Sequence, residues 1–176
     1  LQVGDSYAMN ADKDIALVRE VFPLRKQERS RSIMFPDSRF AVLRAERLAL
    51  YVDAMPLGLW HIHDGKPNLL AYVDGRPLLV DSGGCSYDDA WHHRWYKSAA
   101  AHNAVVVTPP GEAVPTATPL PEITIQRFTP KLVRCRHVLN GDGLAYTWTR
   151  EVRLYDHGFT VTDHVTAPRP VHARQM

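Results

Sequence analysis

Turn-forming dipeptides that recur at hairpin-like intervals constrain the fold of this sequence more than any other feature. From Arg39 onward, short segments rich in Val, Leu, Tyr and Thr alternate with Gly, Pro, Asn-Gly and Asp-Gly, as is typical of antiparallel strands joined by tight turns. The proline-rich stretch 108–121 cannot hold a strand ladder and is predicted to be a surface loop. The pattern predicts a mainly β fold, an antiparallel β-sandwich. Besides the hairpin described next, strands are predicted at Phe40–Ala45, Leu48–Asp53, Asn103–Val107, Glu122–Phe128, Leu132–Val138, Leu144–Tyr155 and Phe159–Val165.

The clearest hairpin runs from Asn68 to Asp81. Asp74-Gly75 at its tip supplies the positive φ angles of a two-residue type I′ turn, and apolar residues flank it on both sides. Pairing outward from this turn places Tyr72 opposite Pro77 and Asn68 opposite Asp81. Because Pro77 has no N–H to donate, its strand is expected at a sheet edge or beside an open site.

The N-terminal residues have a different pattern from the rest of the chain. Asn10 can cap a short helix whose apolar positions, beginning with Ile15 and Val18, follow helical spacing. A helical lead-in is therefore predicted over 1–32 and the sandwich over 33–176. The chain does not begin with Met, and no turn or cap signal closes its end. We expect a longer protein at both ends, with the sandwich incomplete at its C-terminus.

Composition excludes several classes of protein. The 176 residues are 45% hydrophobic with a formal net charge of +2, as in ordinary globular domains. No apolar run approaches the roughly 20 residues that span a bilayer, so no membrane span is expected. The scattered basic residues argue against a dedicated nucleic-acid binder but allow a locally basic groove for an acidic ligand. The cellular location stays open, with a periplasmic or secreted location slightly favoured over a cytoplasmic one.

A group of histidines and one carboxylate forms the candidate site. His61 and His63 are two residues apart, so an extended strand presents both on one face. Asp81 ends the hairpin, and His102 opens a later strand. Two histidines and a carboxylate with one open position form a ligand set expected for zinc, provided that residues 64–67 fold back to close the site. The same pattern also fits ordinary surface histidines.

The remaining histidines show no such arrangement. His92 and His93 are adjacent in sequence and are interpreted as solvated loop residues. No role is assigned to the other four, which are His137, His157, His164 and His172.

Several motifs, in order and spacing, resemble the heparinase II/III-like family of polysaccharide lyases. The resemblance is dense over 35–107, weaker over 4–11, and limited to general β character beyond Val107. Members of that family pair an N-terminal (α/α) toroid with a C-terminal antiparallel β-sandwich, which implies that this chain is the second part and that the toroid is missing. The motifs are Phe35-Pro36-Asp37-Ser38, Ala41-Val42-Leu43-Arg44, His61-Ile62-His63, the run from Asp74 to Gly83, Tyr87-Asp88, Lys97-Ser98 and Ala101-His102-Asn103.

The resemblance also implies roles for individual residues. It makes His63, Asp81 and His102 the zinc ligands, with His61 facing the substrate as a catalytic residue. Tyr87 corresponds to a family position near the substrate that is sometimes assigned to proton transfer, although an ordinary packed loop aromatic fits it equally well.

Three further residues are expected to contact the substrate, namely Trp60, Arg94 and Lys97. The family usually has arginine at the position of Lys97, so a basic group is kept while bidentate binding of a carboxylate is lost. A solvated lysine is the plainer alternative.

Two departures from the family lie just after His63. Gly65 stands where an acidic residue is common, and Pro67 stands where leucine is common. Either a supporting carboxylate is lost or Asp64 takes its place. Since such carboxylates orient metal-bound histidines, the loss would weaken a metal site by about tenfold or more.

The implied activity is β-elimination on a uronic-acid-containing polysaccharide. That reaction needs a neutralised carboxylate, a base for the C5 proton and an acid for the leaving O4. Because the family places further catalytic groups in the toroid, this chain is expected to be inactive alone. A metal-dependent hydrolase is one alternative, and a non-catalytic carbohydrate-binding or structural sandwich is another. In the latter, aromatic side chains would stack on sugar rings, with Trp60, Trp91, Trp95 and Trp148 as candidates, although a role in the core or at an interface is the commoner alternative for such residues.

Overall fold

The computed structural model describes residues 31–56, 63–86, 88–112, 120–141 and 143–176. The predicted helical lead-in falls almost entirely outside these residues. The described part is built from strands, which are β1 (Ile33–Phe35), β2 (Phe40–Arg44), β3 (Leu48–Asp53), β4 (Asn68–Val73), β5 (Arg76–Leu79), β6 (Val105–Thr108), β7 (Glu122–Thr129), β8 (Leu132–Asn140), β9 (Ala145–Leu154), β10 (Phe159–Thr166) and β11 (His172–Gln175).

The strands form three antiparallel sheets. A five-stranded sheet has the order β1-β2-β3-β4-β5, a four-stranded sheet the order β10-β9-β8-β7, and β11 pairs with β6. Alternating apolar residues on the facing sides of the two larger sheets form the main core, which includes Leu50, Val52, Val133 and Val152. A second cluster packs β6 against the end of the four-stranded sheet around Trp148. The predicted antiparallel β-sandwich is confirmed.

The hairpin between β4 and β5 has the predicted turn but not the full predicted register. Asp74 and Gly75 have φ angles of 51° and 76°, and Tyr72 pairs with Pro77 on β5, the edge strand. A bulge next to Tyr72 then shifts the register, and the ladder ends at Leu79. The predicted backbone pairing of Asn68 with Asp81 is therefore wrong, because one extra residue on one strand moves every later pair by one position.

Two short strands and two helical turns were not predicted from the sequence. All four residues of β11 are exposed, so that segment lacks the apolar alternation that marks a half-buried strand. The short strand β1 pairs with β2. A π-helical turn at His92–Tyr96 and a 3-10 turn at Ala99–Ala101 lie between β5 and β6. Within the part of the chain that the structure describes, no helix has the length and apolar character needed to span a bilayer.

Candidate functional site

Three segments that are distant in sequence bring the predicted ligands together at one end of the five-stranded sheet. His63 precedes β4, Asp81 follows β5, and His102 precedes β6. His63 and His102 are 4% and 5% exposed, and Nδ1 of His63 lies 3.2 Å from Nε2 of His102. On its other side, Nδ1 of His102 lies 2.9 Å from Oδ2 of Asp81. The three residues form one continuous buried network, in which His102 is the central member.

Asp81 is held as a charged carboxylate within this network. The amide of Asn68 donates to Oδ2 at 2.6 Å, and the backbone N–H of Gly83 donates to Oδ1 at 2.8 Å. Burial alone would raise the pKa of Asp81, but the hydrogen bond and charge of His102 and the Gly83 N–H together lower it. A carboxylate that accepts from several donors stays ionised and can orient an imidazole.

Asn68 and Asn103 position the segments that carry Asp81 and His102. The side-chain oxygen of Asn68, a residue only 1% exposed, accepts from the backbone N–H of Asn103 at 3.1 Å. The amide of Asn103 donates to the carbonyls of Leu69 and Val80, at 2.9 and 2.8 Å. Because Asn103 directly follows His102, these bonds fix that histidine against the ends of β4 and β5.

Gly65 is a packing requirement of the site. A Cβ built at this position would lie 2.3 Å from Cβ and 2.5 Å from Cγ of His102. Such contacts are far below the 3.5–4.0 Å of ordinary carbon packing. The acidic residue that is common in the family at this position therefore has no room here without movement of His102.

Asp64 lies beside the histidines. Its backbone N–H donates to the carbonyl of Lys97 at 2.8 Å. Partial burial of its carboxyl group raises the pKa of Asp64, while the charges of Lys97, His102 and His63 oppose that rise. The charges of both histidines therefore act on the carboxyl group of Asp64, and its role as the supporting carboxylate stays a prediction.

Arg150 of β9 binds both histidine-bearing segments from the opposite sheet. It is 1% exposed, and its Nη1 donates to the carbonyl of Pro67 at 3.0 Å and also to the carbonyl of Asn103. The rest of the guanidinium forms a bidentate pair with Asp163, at 2.8 and 2.9 Å. Arg150 therefore joins Pro67, which lies four residues after His63, to Asn103, which directly follows His102.

The segment 63–67 has a second attachment to the two sheets. The ammonium of Lys66 forms an ion pair with Asp53, which is 0% exposed at the end of β3. The carbonyl of Lys66 accepts from Nδ1 of His137 at 2.8 Å, and Tyr146 hydrogen-bonds the other nitrogen of that histidine at 3.2 Å. His137 therefore has a structural role that its sequence context did not indicate. The only sequence signal for this role was the alternation of inward and outward residues along β8, which places His137 on the inner face.

Other sequence interpretations need correction. His92, expected to be solvated, is 1% exposed, and its ring lies edge-on to that of His63 at 6.1 Å between centroids, because the π-helical turn directs it inward. Trp148 is 1% exposed, and its indole N–H donates to Asp163 at 2.8 Å. Since Trp148 lies in the core, its proposed role in stacking on sugars is wrong.

The predicted substrate-contacting residues are divided between described and undescribed parts of the chain. Lys97 is half-buried beside Asp64, and Arg94 is exposed on the π-helical turn. Trp60, His61 and Tyr87 lie outside the described residues. The predicted contacts of these five residues with substrate remain predictions.

The side-chain nitrogen and oxygen atoms of His63, His102 and Asp81 can be compared with the geometry of a zinc site. Zinc–nitrogen bonds of about 2.0–2.1 Å at tetrahedral angles place two ligand nitrogens about 3.3 Å apart. The facing nitrogens of His63 and His102, at 3.2 Å, match that spacing. Asp81 contacts the far nitrogen of His102, the position of an orienting carboxylate, and would have to exchange this hydrogen bond for a metal bond to become a third ligand. Among the described side chains, no group of three or more His, Cys, Asp or Glu is already arranged around a common point.

The fold and this site define a class: an antiparallel β-sandwich with a buried histidine–aspartate network at one end. Similar sandwiches occur in a heparinase III, the BT4657 gene product, at 20% identity and TM-score 0.65 over 88% of this chain. Another is in the heparan sulfate lyase HepC from Pedobacter heparinus, at 17% identity and TM-score 0.67 over 94% of this chain. This chain covers 27% and 29% of those two chains. No protein of curated function matches.

The sequence itself assigns the family. Residues 27–170 match the family described as heparinase II/III-like, C-terminal. This chain belongs to the heparinase II/III-like family, a family of polysaccharide lyases, as the sequence motifs predicted.

Proposed function

We propose that this domain carries the zinc-binding part of the active site of a lyase that cleaves uronic-acid-containing polysaccharide by β-elimination. The observation that supports the proposal is the buried network of His63, His102 and Asp81 in a member of this family. Two imidazole nitrogens at zinc-compatible spacing and a carboxylate on the far nitrogen are the parts from which such sites are built.

In this proposal His63 and His102 hold the zinc, and Asp81 either joins them as the third ligand or orients His102. The zinc would supply positive charge that organises the histidine-bearing segments, since an elimination consumes no water. Lys97 lies beside the cluster and would contribute positive charge toward the substrate carboxylate, whose neutralisation makes the C5 proton more acidic. His61 and Tyr87 are proposed for substrate contact and proton transfer.

The remaining catalytic groups are proposed to come from an N-terminal toroid. The domain by itself would then bind metal but not cleave polysaccharide. This separation allows the site to be tested by metal binding without any assay of activity.

The first test is metal stoichiometry of the purified chain. About one zinc per chain is expected, and it should be lost in His63→Ala and in His102→Ala. His157→Ala removes an exposed histidine far from this network and serves as the matched control. Absence of bound zinc in the unaltered chain, or equal loss in all three variants, would contradict the proposed site.

The second test concerns the reaction. A protein that contains both the toroid and this sandwich should produce an unsaturated uronate, which is detected by the ultraviolet absorbance of its new double bond. Chain cleavage without that absorbance would instead indicate a hydrolase.

A non-catalytic carbohydrate-binding domain is the second candidate. Trp91 and Trp95 are 64% and 41% exposed on either side of Arg94, and exposed aromatic faces can stack on sugar rings. Sugar binding that persists in His63→Ala but is lost in a Trp91→Ala/Trp95→Ala double variant, in a chain without zinc, would favour this candidate.

A further inference from the structure

The outer face of the four-stranded sheet carries a cluster of arginines that the proposed active site does not use. Residues alternate along β8 and β9, so that Val133, Cys135 and Val152 point into the core while their neighbours point outward. The outward set includes Arg127 on β7, Arg134 and Arg136 on β8, and Arg153 on β9. These four arginines form an outward surface that we call the basic face.

Positive charge on the basic face exceeds its negative charge. Glu151 is its central acid, and it accepts from Arg134 at 2.6 Å and from Arg153 at 2.8 Å. These two hydrogen bonds lower the pKa of Glu151, so it stays ionised. Arg127 and Arg136 have no ion-pair partner among the described residues, and the four arginines still outnumber the acids of this face when the exposed Glu122 of β7 is counted with Glu151.

The strand register places like charges against each other. Arg127 lies directly opposite Arg134 across the β7–β8 ladder, and like charges at such positions destabilise a sheet. Arg136 is two residues from Arg134 and therefore projects from the same side of β8. Glu151 offsets the charge of Arg134 but not that of Arg127, and a local arrangement that costs stability is expected where a surface has a function.

The rest of the basic face suits a sugar polymer better than a protein domain. Of the apolar residues on this side of β8, Leu132 is only 4% exposed and Val138 is half-buried, so the strand offers little apolar area for a protein interface. Threonine hydroxyls, which both donate and accept hydrogen bonds as sugar hydroxyls do, occupy much of the surrounding surface. They belong to Thr124, Thr147, Thr149, Thr160 and Thr162.

We propose that the basic face is a second binding surface for an acidic polysaccharide, separate from the histidine network. On the same strands, Arg150 and His137 point to the opposite side of the sheet, toward the network. Carboxylate or sulfate groups of the polymer would bind Arg127 and Arg136 through charge-assisted hydrogen bonds. Holding a long chain there would raise its local concentration at the active site. The choice of a uronate polymer as the partner rests on the proposed function.

The test compares two double variants with the same change in net charge. Arg127→Glu/Arg136→Glu reverses the basic face, and Arg76→Glu/Arg174→Glu reverses two exposed arginines on β5 and β11. Arg127→Glu also places a carboxylate opposite Arg134, so the first variant should fold. Thermal unfolding of both variants checks this, and Arg127→Gln/Arg136→Gln is available as a milder form.

Binding to heparin and to alginate is measured with a chelator present, so that neither metal nor turnover contributes. We expect the basic-face variant to bind at least about tenfold more weakly than the unaltered chain, because charge-assisted hydrogen bonds are lost. The control variant should lose much less, and added salt should weaken the binding of the unaltered chain. Equal loss in both variants would overturn the proposal. Equally tight binding of single-stranded DNA through the same arginines would also overturn it, since the face would then be a general polyanion surface.

This result is independent of the proposed active site. His63→Ala should remove zinc, which the binding measurement in chelator does not require. Conversely, the basic-face variant should keep its zinc. Failure of either proposal can therefore be recognised without reference to the other.

Discussion

Adding one methyl group at Gly65 should damage the histidine network although no predicted ligand is replaced. In Gly65→Ala the new Cβ would lie 2.3 Å from Cβ and 2.5 Å from Cγ and Cδ2 of His102. Ordinary carbon contacts are about 3.5–4.0 Å, so His102 or the segment around residue 65 must move by about 1 Å.

Neither group can move freely. The segment is held by the ion pair between Lys66 and Asp53 and by the bond from Arg150 to the carbonyl of Pro67. The imidazole of His102 is held by Asp81 at 2.9 Å. Overpacking in such surroundings costs about 1–3 kcal/mol of unfolding free energy. If His102 moves, its bond to Asp81 is lost, and zinc affinity should fall by about 10–100-fold.

The assay combines denaturant unfolding with a zinc titration, and Gly143→Ala is the matched control. A Cβ at Gly143 meets nothing within 4 Å, and that glycine does not require a positive φ. Gly65→Ala should therefore be both less stable and weaker in zinc binding than the control. Equal values for the two variants would refute the packing argument. Loss of stability with unchanged zinc affinity would refute the link between Gly65 and the metal site.

Three further predictions follow from the contacts of the site. Arg150→Met should lower the unfolding free energy by about 3–5 kcal/mol, because the largely buried carboxylate of Asp163 keeps its bond from Trp148 but loses its charged partner. Arg150→Lys should be more stable than Arg150→Met yet bind zinc less tightly than the unaltered chain. Lys66→Met should cost a similar amount, because Asp53 is 0% exposed. Lys131→Met, in an exposed ion pair, should change stability little. Denaturant unfolding and zinc titration check all of these variants. Acidification should release zinc, since an imidazole must lose its proton to bind metal. A titration of bound zinc against pH checks this, and an affinity that does not fall in acid would contradict the prediction.

The local signals of the sequence predicted the strands and the hairpin well. Asp74-Gly75 gave the turn because positive φ angles at two successive residues are chemically restrictive. The bulge beside Tyr72 carries no comparable local signal, since the apolar residues of β4 suit either register. Because of this bulge, Asn68 and Asp81 do not form the predicted backbone pair, although their side chains hydrogen-bond at 2.6 Å.

The residues that support the candidate site could not be predicted in the same way. The bond from Arg150 to Pro67 spans 83 positions, and that from His137 to Lys66 spans 71. Such partners are set by how the two sheets pack, which no local pattern encodes. Gly65 was recognised only as a departure from the family, whereas its close approach to His102 supplies the physical reason for the departure.

These long-range contacts also connect the candidate site to the stability of the whole sandwich. The segment 63–67 is bound to the five-stranded sheet through Asp53 and to the four-stranded sheet through His137 and Arg150. Separation of the sheets would therefore disturb the position of His63 as well. Zinc that binds only the folded arrangement must then stabilise the closed sandwich, by about 2.7 kcal/mol when free zinc is 100 times its dissociation constant. Metal should therefore raise the unfolding free energy of both sheets together, with no separate transition for the site.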